Sequence, residues 1–96
     1  MITDEILTEF KNRMHLGDFE DDNLKELLSF SVTYVKTRCG DFDLEGDKDT
    51  DKQAKELVFE RTRYLYNDAL EYFEDNFLSE ILNLSLSLGG YQDATE

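Results

Sequence analysis

Proline is absent from this chain of 96 residues, and glycine and cysteine are scarce, with five copies and one copy. Because proline and glycine interrupt helices, their scarcity favours long helices over a turn-rich β fold. The single cysteine, Cys39, excludes an intramolecular disulfide, which favours an intracellular protein. The acidic residues near the start do not resemble the basic region of a secretory signal.

Basic residues are missing from the last third of the chain. All ten lie between Lys11 and Arg63, whereas residues 64–96 carry seven acidic residues and no basic one. Binding through phosphates, whether of nucleic acid or of anionic lipid, needs clustered Lys and Arg. We therefore expect neither sequence-specific nucleic-acid binding nor membrane binding. No apolar run is long enough to span a bilayer.

The chain does contain enough apolar residues for one small domain. Hydrophobic residues make up 40% and aromatic residues 12%, against a net charge of −13. A chain of this length buries roughly 60–65% of its unfolded surface, so its stability is marginal and self-association could add to it. We predict one helical domain over residues 1–90 and a flexible tail over residues 91–96.

Apolar residues recur at helical spacing in four segments, which predicts an all-α fold. We expect a small bundle of three main helices plus a short C-terminal helix. The first helix begins after the N-cap Thr3, and Gly17 is available for the left-handed residue at its end. The second helix spans about 22–39, and Phe30 and Tyr34 are expected to widen its buried stripe.

The third helix is predicted to be the longest. A capping box of Thr50 and Gln53 starts it, and its apolar period continues to about residue 75. A short last helix is predicted over residues 77–88, although residues 84–88 alone alternate like a strand.

The aromatic segment, residues 64–77, is the most informative stretch. Five of its fourteen residues are aromatic, and it contains no basic residue. A helix this long, with such a wide apolar arc, favours contact of part of its surface with another subunit. The candidate interface residues, which combine core and contact positions that the sequence does not separate, are Leu57, Phe59, Tyr66, Leu70 and Tyr72.

The acidic loop, residues 41–52, is the one segment that resembles a metal site. With Asp41 at position 1 of an EF-hand loop, Gly46 falls on the required glycine. Lys48 then replaces an apolar residue, and Lys52 replaces the bidentate glutamate at the end of the loop. We therefore predict a solvated acidic loop without a specific calcium site, and no cofactor.

Residues suited to catalysis are few. His15 lies near a helix end, where the helix dipole favours a cation, and it has no partner at metal-ligand spacing. Cys39 lies on the apolar stripe of the second helix and is predicted to be a small buried side chain. A catalytic pair of Cys39 and His15 stays an open alternative, since the sequence does not give the distance between them. We expect a protein that is not an enzyme and acts through protein–protein contacts.

Nearly the whole chain resembles one family of viral proteins. The resemblance lies in Tyr34-Val-Lys-Thr-Arg-Cys-Gly-Asp-Phe42, in the aromatic segment, and in residues 81–86. Residues 7–28 fit the short helix, acidic turn and second helix of the same family. The family is that of the phage head–tail connectors, which are small head-completion or adaptor proteins of tailed bacteriophages and prophages.

The resemblance implies an α-helical subunit of a ring below the portal vertex, commonly of about twelve copies joined head-to-tail. Such a ring extends the DNA channel and contacts the portal protein on one side and a tail-side adaptor on the other. The location implied is the virion, after assembly in the cytoplasm of a host bacterium. A strongly acidic ring would repel DNA, as a conduit for DNA passage requires.

A second class of function stays open from the residues alone. A small acidic protein could be a DNA mimic or inhibitor that occupies the basic groove of a host enzyme. Such a protein would be monomeric or dimeric. Its mass in solution, and its binding to a portal or to a nuclease, would distinguish the two classes.

Overall fold

The computed structural model describes residues 2–18 and 20–89, and these contain helices and no strand. The α-helices are α1 (Asp4–Met14), α2 (Asp21–Cys39), α3 (Asp49–Tyr66) and α4 (Phe73–Leu88), and a 3-10 turn at Leu70–Tyr72 precedes α4. The predicted small all-α bundle is confirmed. Within the described ranges, none of the helices is both long and apolar enough to cross a lipid bilayer.

Helix α1 begins as its sequence predicts and ends differently. The Thr3 hydroxyl accepts a hydrogen bond from the Ile6 N–H at 3.2 Å, which caps the helix. The left-handed residue at the other end is His15 (φ 58°), so the assignment of that role to Gly17 was wrong. This ending lets the Leu16 N–H bond to a carbonyl of the last turn at 2.9 Å, while the Leu16 side chain packs on the core.

Helix α2 forms one wall of the core. It starts at Asp21, one residue before the predicted start, and ends at Cys39 as expected. Its buried side chains recur every three or four positions and are Leu24, Leu28, Ser31, Val35 and Cys39. Phe30 is 55% exposed, so its predicted place in the buried stripe was wrong. Phe30 follows Leu28 by two positions, which turns it to the other side of the helix.

Helix α3 begins without the predicted capping box. It starts at Asp49, and no side chain caps it. The box of Thr50 and Gln53 was wrong because Thr50 already lies inside the first turn. Asp51 turns back into the preceding loop, where its carboxylate accepts a hydrogen bond from the Asp43 N–H at 3.0 Å.

The single long helix predicted through residue 75 is in fact two helices. α3 ends at Tyr66, and Asp68 takes a left-handed conformation (φ 58°) that a short polar side chain tolerates. The Ala69 N–H then bonds to the Tyr64 carbonyl at 2.8 Å, which closes the helix end. The turn folds the aromatic segment back on itself, so its rings pack on one another instead of lying along one continuous helix.

Helix α4 is kinked. Phe77 has non-helical dihedrals (φ −120°, ψ 19°), and the predicted C-terminal helix, residues 77–88, corresponds to the piece after the kink. Residues 84–88 are helical and do not form a strand. Gly89 ends the helix in the left-handed conformation (φ 73°), as the glycine pair predicts. The predicted tail, residues 91–96, lies outside the described residues.

The core lies where α2, α3 and α4 meet, and α1 packs against α2. The largest fully buried apolar side chains are Phe10, Phe59, Phe73, Leu24, Leu28, Ile81 and Leu84. Cys39 is buried as predicted, and its Sγ lies 3.6 Å from the Ile81 carbonyl oxygen. α4 contributes one face to this core and leaves the other to solvent.

Candidate functional site

The five residues predicted as interface candidates do not form one surface. Leu57 and Phe59 lie inside the domain, 4% and 0% exposed. The Phe59 ring packs edge-on against Phe10 at 5.4 Å, and the Arg13 guanidinium lies over it at 5.0 Å. Phe59 is therefore unavailable to a partner, and Leu57 shows only a small part of its side chain, at the floor of a groove between α3 and α4.

The other three candidates lie at or near the turn between α3 and α4. Tyr66 is half-buried, and its hydroxyl donates a hydrogen bond to Glu20 at 2.7 Å. Leu70 packs against the core. Tyr72 is 59% exposed. Of the five candidates, Tyr72 alone presents most of its side chain to solvent.

An exposed row of leucines runs along α4, and we call its three members the leucine strip: Leu78, Leu82 and Leu86. They succeed one another at intervals of four, which places them one above another on one side of the helix. They are 44%, 39% and 65% exposed. A solvated helix face normally carries polar residues, so three leucines in this register indicate a contact surface.

The charged residues of α4 all precede the second leucine of the leucine strip. α4 contains no basic residue, and no acidic residue after Glu80. The opposite face of the same helix is already used, since Phe73, Ile81 and Leu84 are each 1% exposed. In a chain of net charge −13, residues 81–88 are a helical stretch without a charged residue.

Sequence reasoning noticed the periodicity of this helix and missed its outward face. The signal was present in the spacing. Once a helix is placed over residues 73–88, positions 73, 77, 81, 84 and 88 form one apolar face. The leucines at 78, 82 and 86 then fall outside that face and form a second surface of large apolar residues.

A polar network fixes the start of α4 against α2. Tyr34 and Arg38, one turn apart on α2, both donate hydrogen bonds to the Glu74 carboxylate. The Tyr34 hydrogen bond is the main cause that lowers the pKa of Glu74, and Arg38 adds to it. Burial raises the pKa of the Tyr34 phenol, and its bond to Glu74 raises it further. The network therefore joins the start of α4 to α2.

The acidic loop is closed by its own hydrogen bonds. The Asp43 carboxylate accepts a bond from the Glu45 N–H at 3.0 Å, and Asp51, only 6% exposed, bonds to the Asp43 N–H. The predicted solvated loop is therefore wrong for Asp51. A Cβ on Gly46 would lie 2.0 Å from Asp51 Oδ2, so any other residue there would displace the Asp51 carboxylate. Across the described ranges, no three His, Cys, Asp or Glu side chains are grouped to hold a metal ion.

His15 and Cys39 lie at the ends of two different helices. His15 is exposed at the end of α1, whereas Cys39 is buried at the end of α2. The Cys39 thiol faces the Ile81 carbonyl oxygen rather than an imidazole. The arrangement gives the thiol a packing role and no base to activate it.

Comparison with protein-family models, with curated proteins and with solved structures finds no match for this chain. The resemblance to connectors therefore rests on the sequence pattern. That pattern and the surface of α4 are together the basis for inferring a function.

Proposed function

We propose that this protein is a structural subunit of a phage head–tail connector, in which identical copies form a ring between portal and tail. The observation that carries the proposal is the leucine strip, which is exposed on α4, where the helix has no charged residue after Glu80. Three exposed leucines in register contribute little to a monomer. A subunit that packs head-to-tail in a ring buries them against its neighbour.

The strength of such a contact suits a subunit that assembles on a template. At about 25 cal/mol per Å² of apolar surface, burying one partly exposed leucine contributes about 1 kcal/mol. The three leucines of the strip then contribute about 3 kcal/mol, less than the ~4–15 kcal/mol that association costs. A portal that holds many copies side by side raises their local concentration and compensates for the difference, and a high concentration of the free chain does the same to a smaller extent.

The charge of the chain agrees with the same role. At a net charge of −13, free copies repel one another, and salt favours assembly by screening that repulsion. A ring of such subunits presents a negative wall to DNA, which passes without being bound. This role requires no catalytic residue, no cofactor and no metal.

Deletion of the gene from its phage or prophage tests the proposal. We expect electron microscopy of the lysate to show heads and free tails that are not joined. The wild-type chain supplied in trans should restore joined virions, and the double variant Leu82→Gln/Leu86→Gln should not. The matched control is Phe30→Gln, which removes an equally exposed apolar side chain from α2 and should restore them.

Normal joined virions in the absence of the gene would overturn the connector assignment. That result would favour the DNA-mimic or inhibitor function instead. Binding of the purified chain to portal protein, compared with binding to a DNA-processing enzyme of the host, then separates the two functions directly.

A further inference from the structure

A groove lies between α3 and α4 and encloses about 420 Å³. Leu57 and Phe77 form its floor; Glu56 and Glu60 line it from α3 and Glu80 from α4. Leu57 is 4% exposed, and Phe77 is half-buried. An apolar floor under a charged rim suits a side chain that is apolar along its length and charged at its tip.

The rim of the groove is negative and only partly neutralised. Glu56 accepts two hydrogen bonds from the Arg13 guanidinium, at 2.9 and 2.6 Å, and this pairing lowers the pKa of its carboxyl group. Glu60 pairs with Arg63 at 2.6 Å. The ion pairs of the described residues include Glu56 and Glu60 but not Glu80. The unbalanced charge of the rim therefore lies at Glu80.

We propose that this groove binds a basic amphipathic segment of a different protein. A Lys or Arg of that segment lays its aliphatic stem over Leu57 and Phe77, and its charged tip reaches Glu80. The negative rim attracts such a segment at long range and pairs with it on contact. This adds a second kind of partner to the proposed self-association and does not depend on the connector role.

A second copy of this chain is a poor occupant of the groove. Seven of its ten basic residues already pair with its own carboxylates, namely Lys11, Arg13, Lys25, Lys36, Arg38, Lys55 and Arg63. The Arg61 guanidinium lies over the Tyr34 ring at 4.4 Å. Lys48 and Lys52 alternate with the aspartates at 47, 49 and 51. No segment of net positive charge is left, so the basic segment comes from another protein.

The groove and the leucine strip can be occupied together. Glu80 and Leu82 are two positions apart on α4, which separates their directions by roughly 160° around the helix axis. A partner in the groove therefore contacts the α3 side of α4, and a neighbouring subunit contacts the outer side. A variant of one surface should leave binding at the other unchanged.

The test uses the full chain and a synthetic helical peptide of lysine and leucine, with binding measured by calorimetry. We expect Glu80→Gln to weaken the affinity about three- to ten-fold. The matched control is Glu71→Gln, which removes the same charge from an exposed site outside the groove and should change the affinity less than about twofold. Circular dichroism of both variants checks that they fold. An equal loss in both would mean general attraction to an acidic protein and would overturn the proposal, as would no binding.

Two further binding measurements, one with a changed peptide and one with a changed protein, locate the binding site. A peptide with serine in place of leucine should bind about tenfold more weakly, because it lacks the apolar part that fits the floor. Equal binding of the two peptides would overturn the proposal. Leu82→Gln/Leu86→Gln should bind the first peptide as wild type does; a loss there would place the peptide on the leucine strip and overturn the groove. Failure in any arm leaves the connector proposal standing, because that is tested by virion assembly.

Discussion

Two consecutive segments, residues 64–77 and residues 78–88, are both rich in large apolar side chains and use them in opposite ways. In the first, the rings of Tyr64, Phe73 and Phe77 lie 5.1 to 5.8 Å apart, centroid to centroid. In the second, the leucine strip is 39% to 65% exposed. The aromatic segment packs within the domain, whereas the leucine segment leaves large apolar side chains exposed to solvent.

The difference arises from where the chain bends. The left-handed Asp68 folds the aromatic segment back on itself, and the kink at Phe77 redirects the rest of α4. A buried aromatic side chain removes about 150–250 Å² from water, so the cluster of Tyr64, Phe73 and Phe77 supplies a large apolar area to so small a domain. Beyond the kink, α4 has one face to pack against α2 and α3, and its remaining leucines stay outside. Aromatic density therefore marks the core here, and the exposed apolar surface comes after it in the sequence.

Removal of a buried aromatic ring should have the largest effect on the free energy of unfolding. Phe73 is 1% exposed and packs against Tyr34, Tyr64 and Phe77. Phe73→Ala should lower the free energy of unfolding by about 3–5 kcal/mol, measured by urea denaturation. The adjacent Tyr72→Ala, which removes a ring that is 59% exposed, should change it by less than about 0.5 kcal/mol. Equal effects would show that the aromatic segment does not pack as described.

A smaller effect separates the two faces of α4 itself. Ser85 is 1% exposed, and its Oγ lies 2.8 Å from the Ile81 carbonyl oxygen and 3.1 Å from that of Arg38 at the end of α2. Ser85→Ala should destabilise the fold by about 1–2 kcal/mol, because a buried carbonyl loses its donor. Ser87→Ala, on the exposed side of the same helix, is the control, and thermal unfolding is the measurement. A cost for Ser87→Ala that matches that for Ser85→Ala would contradict the assignment of faces.

The polar network at the start of α4 predicts a pH dependence. The hydrogen bond from Tyr34 lowers the pKa of Glu74 below its ordinary value of 4.5. Its stabilisation is therefore complete above that value and is lost as the pH falls through the lower pKa of the folded state. Glu74 is half exposed, so Glu74→Gln should cost only about 0.5 kcal/mol at neutral pH.

Unfolding of wild type and Glu74→Gln, measured from neutral to acidic pH, checks this dependence. The difference between the two should vanish in acid. Tyr34→Phe removes the donor of the hydrogen bond. In a chain that carries Tyr34→Phe, the further change Glu74→Gln should therefore cost less stability at neutral pH than it does in wild type. A difference that grows as the pH falls would have the wrong sign for a carboxyl group with a lowered pKa.

The helices could be predicted because their apolar residues keep a clear period and their ends carry local signals. Thr3 caps α1 as expected, and Cys39 ends α2. The break after Tyr66 could not be predicted, because the apolar period continues across it and neither proline nor glycine marks it. Asp68 takes the left-handed conformation there, a role that more often falls to glycine.

The candidate site could not be predicted because its residues are separated by the break after Tyr66. Without it, Phe59 and Tyr72 belong to one long apolar arc, whereas in the structure one is fully buried and the other is mostly exposed. A wide arc does not tell a core face from a contact face, because both require large apolar residues. The leucine strip was hidden for the same reason, since its face is defined only once α4 has its own start and kink.

The smallest expected effect on stability accompanies the largest expected effect on assembly. Leu82→Gln/Leu86→Gln replaces two exposed leucines by residues of similar helix propensity, so the free energy of unfolding should change by less than about 0.5 kcal/mol. The same change should remove the contact between copies. Phe30→Gln is the control, because it removes an exposed ring from α2 and should leave both properties unchanged.

Sedimentation velocity at high protein concentration, from about 0.1 M to about 1 M salt, measures that contact directly, because the screening length falls from ~10 to ~3 Å over this range. We predict that the wild-type chain moves from the mass of one subunit toward larger species as salt rises. The Leu82→Gln/Leu86→Gln variant should keep the mass of one subunit throughout. A variant that associates to the same extent as wild type would contradict the claim that the leucine strip joins copies of this protein.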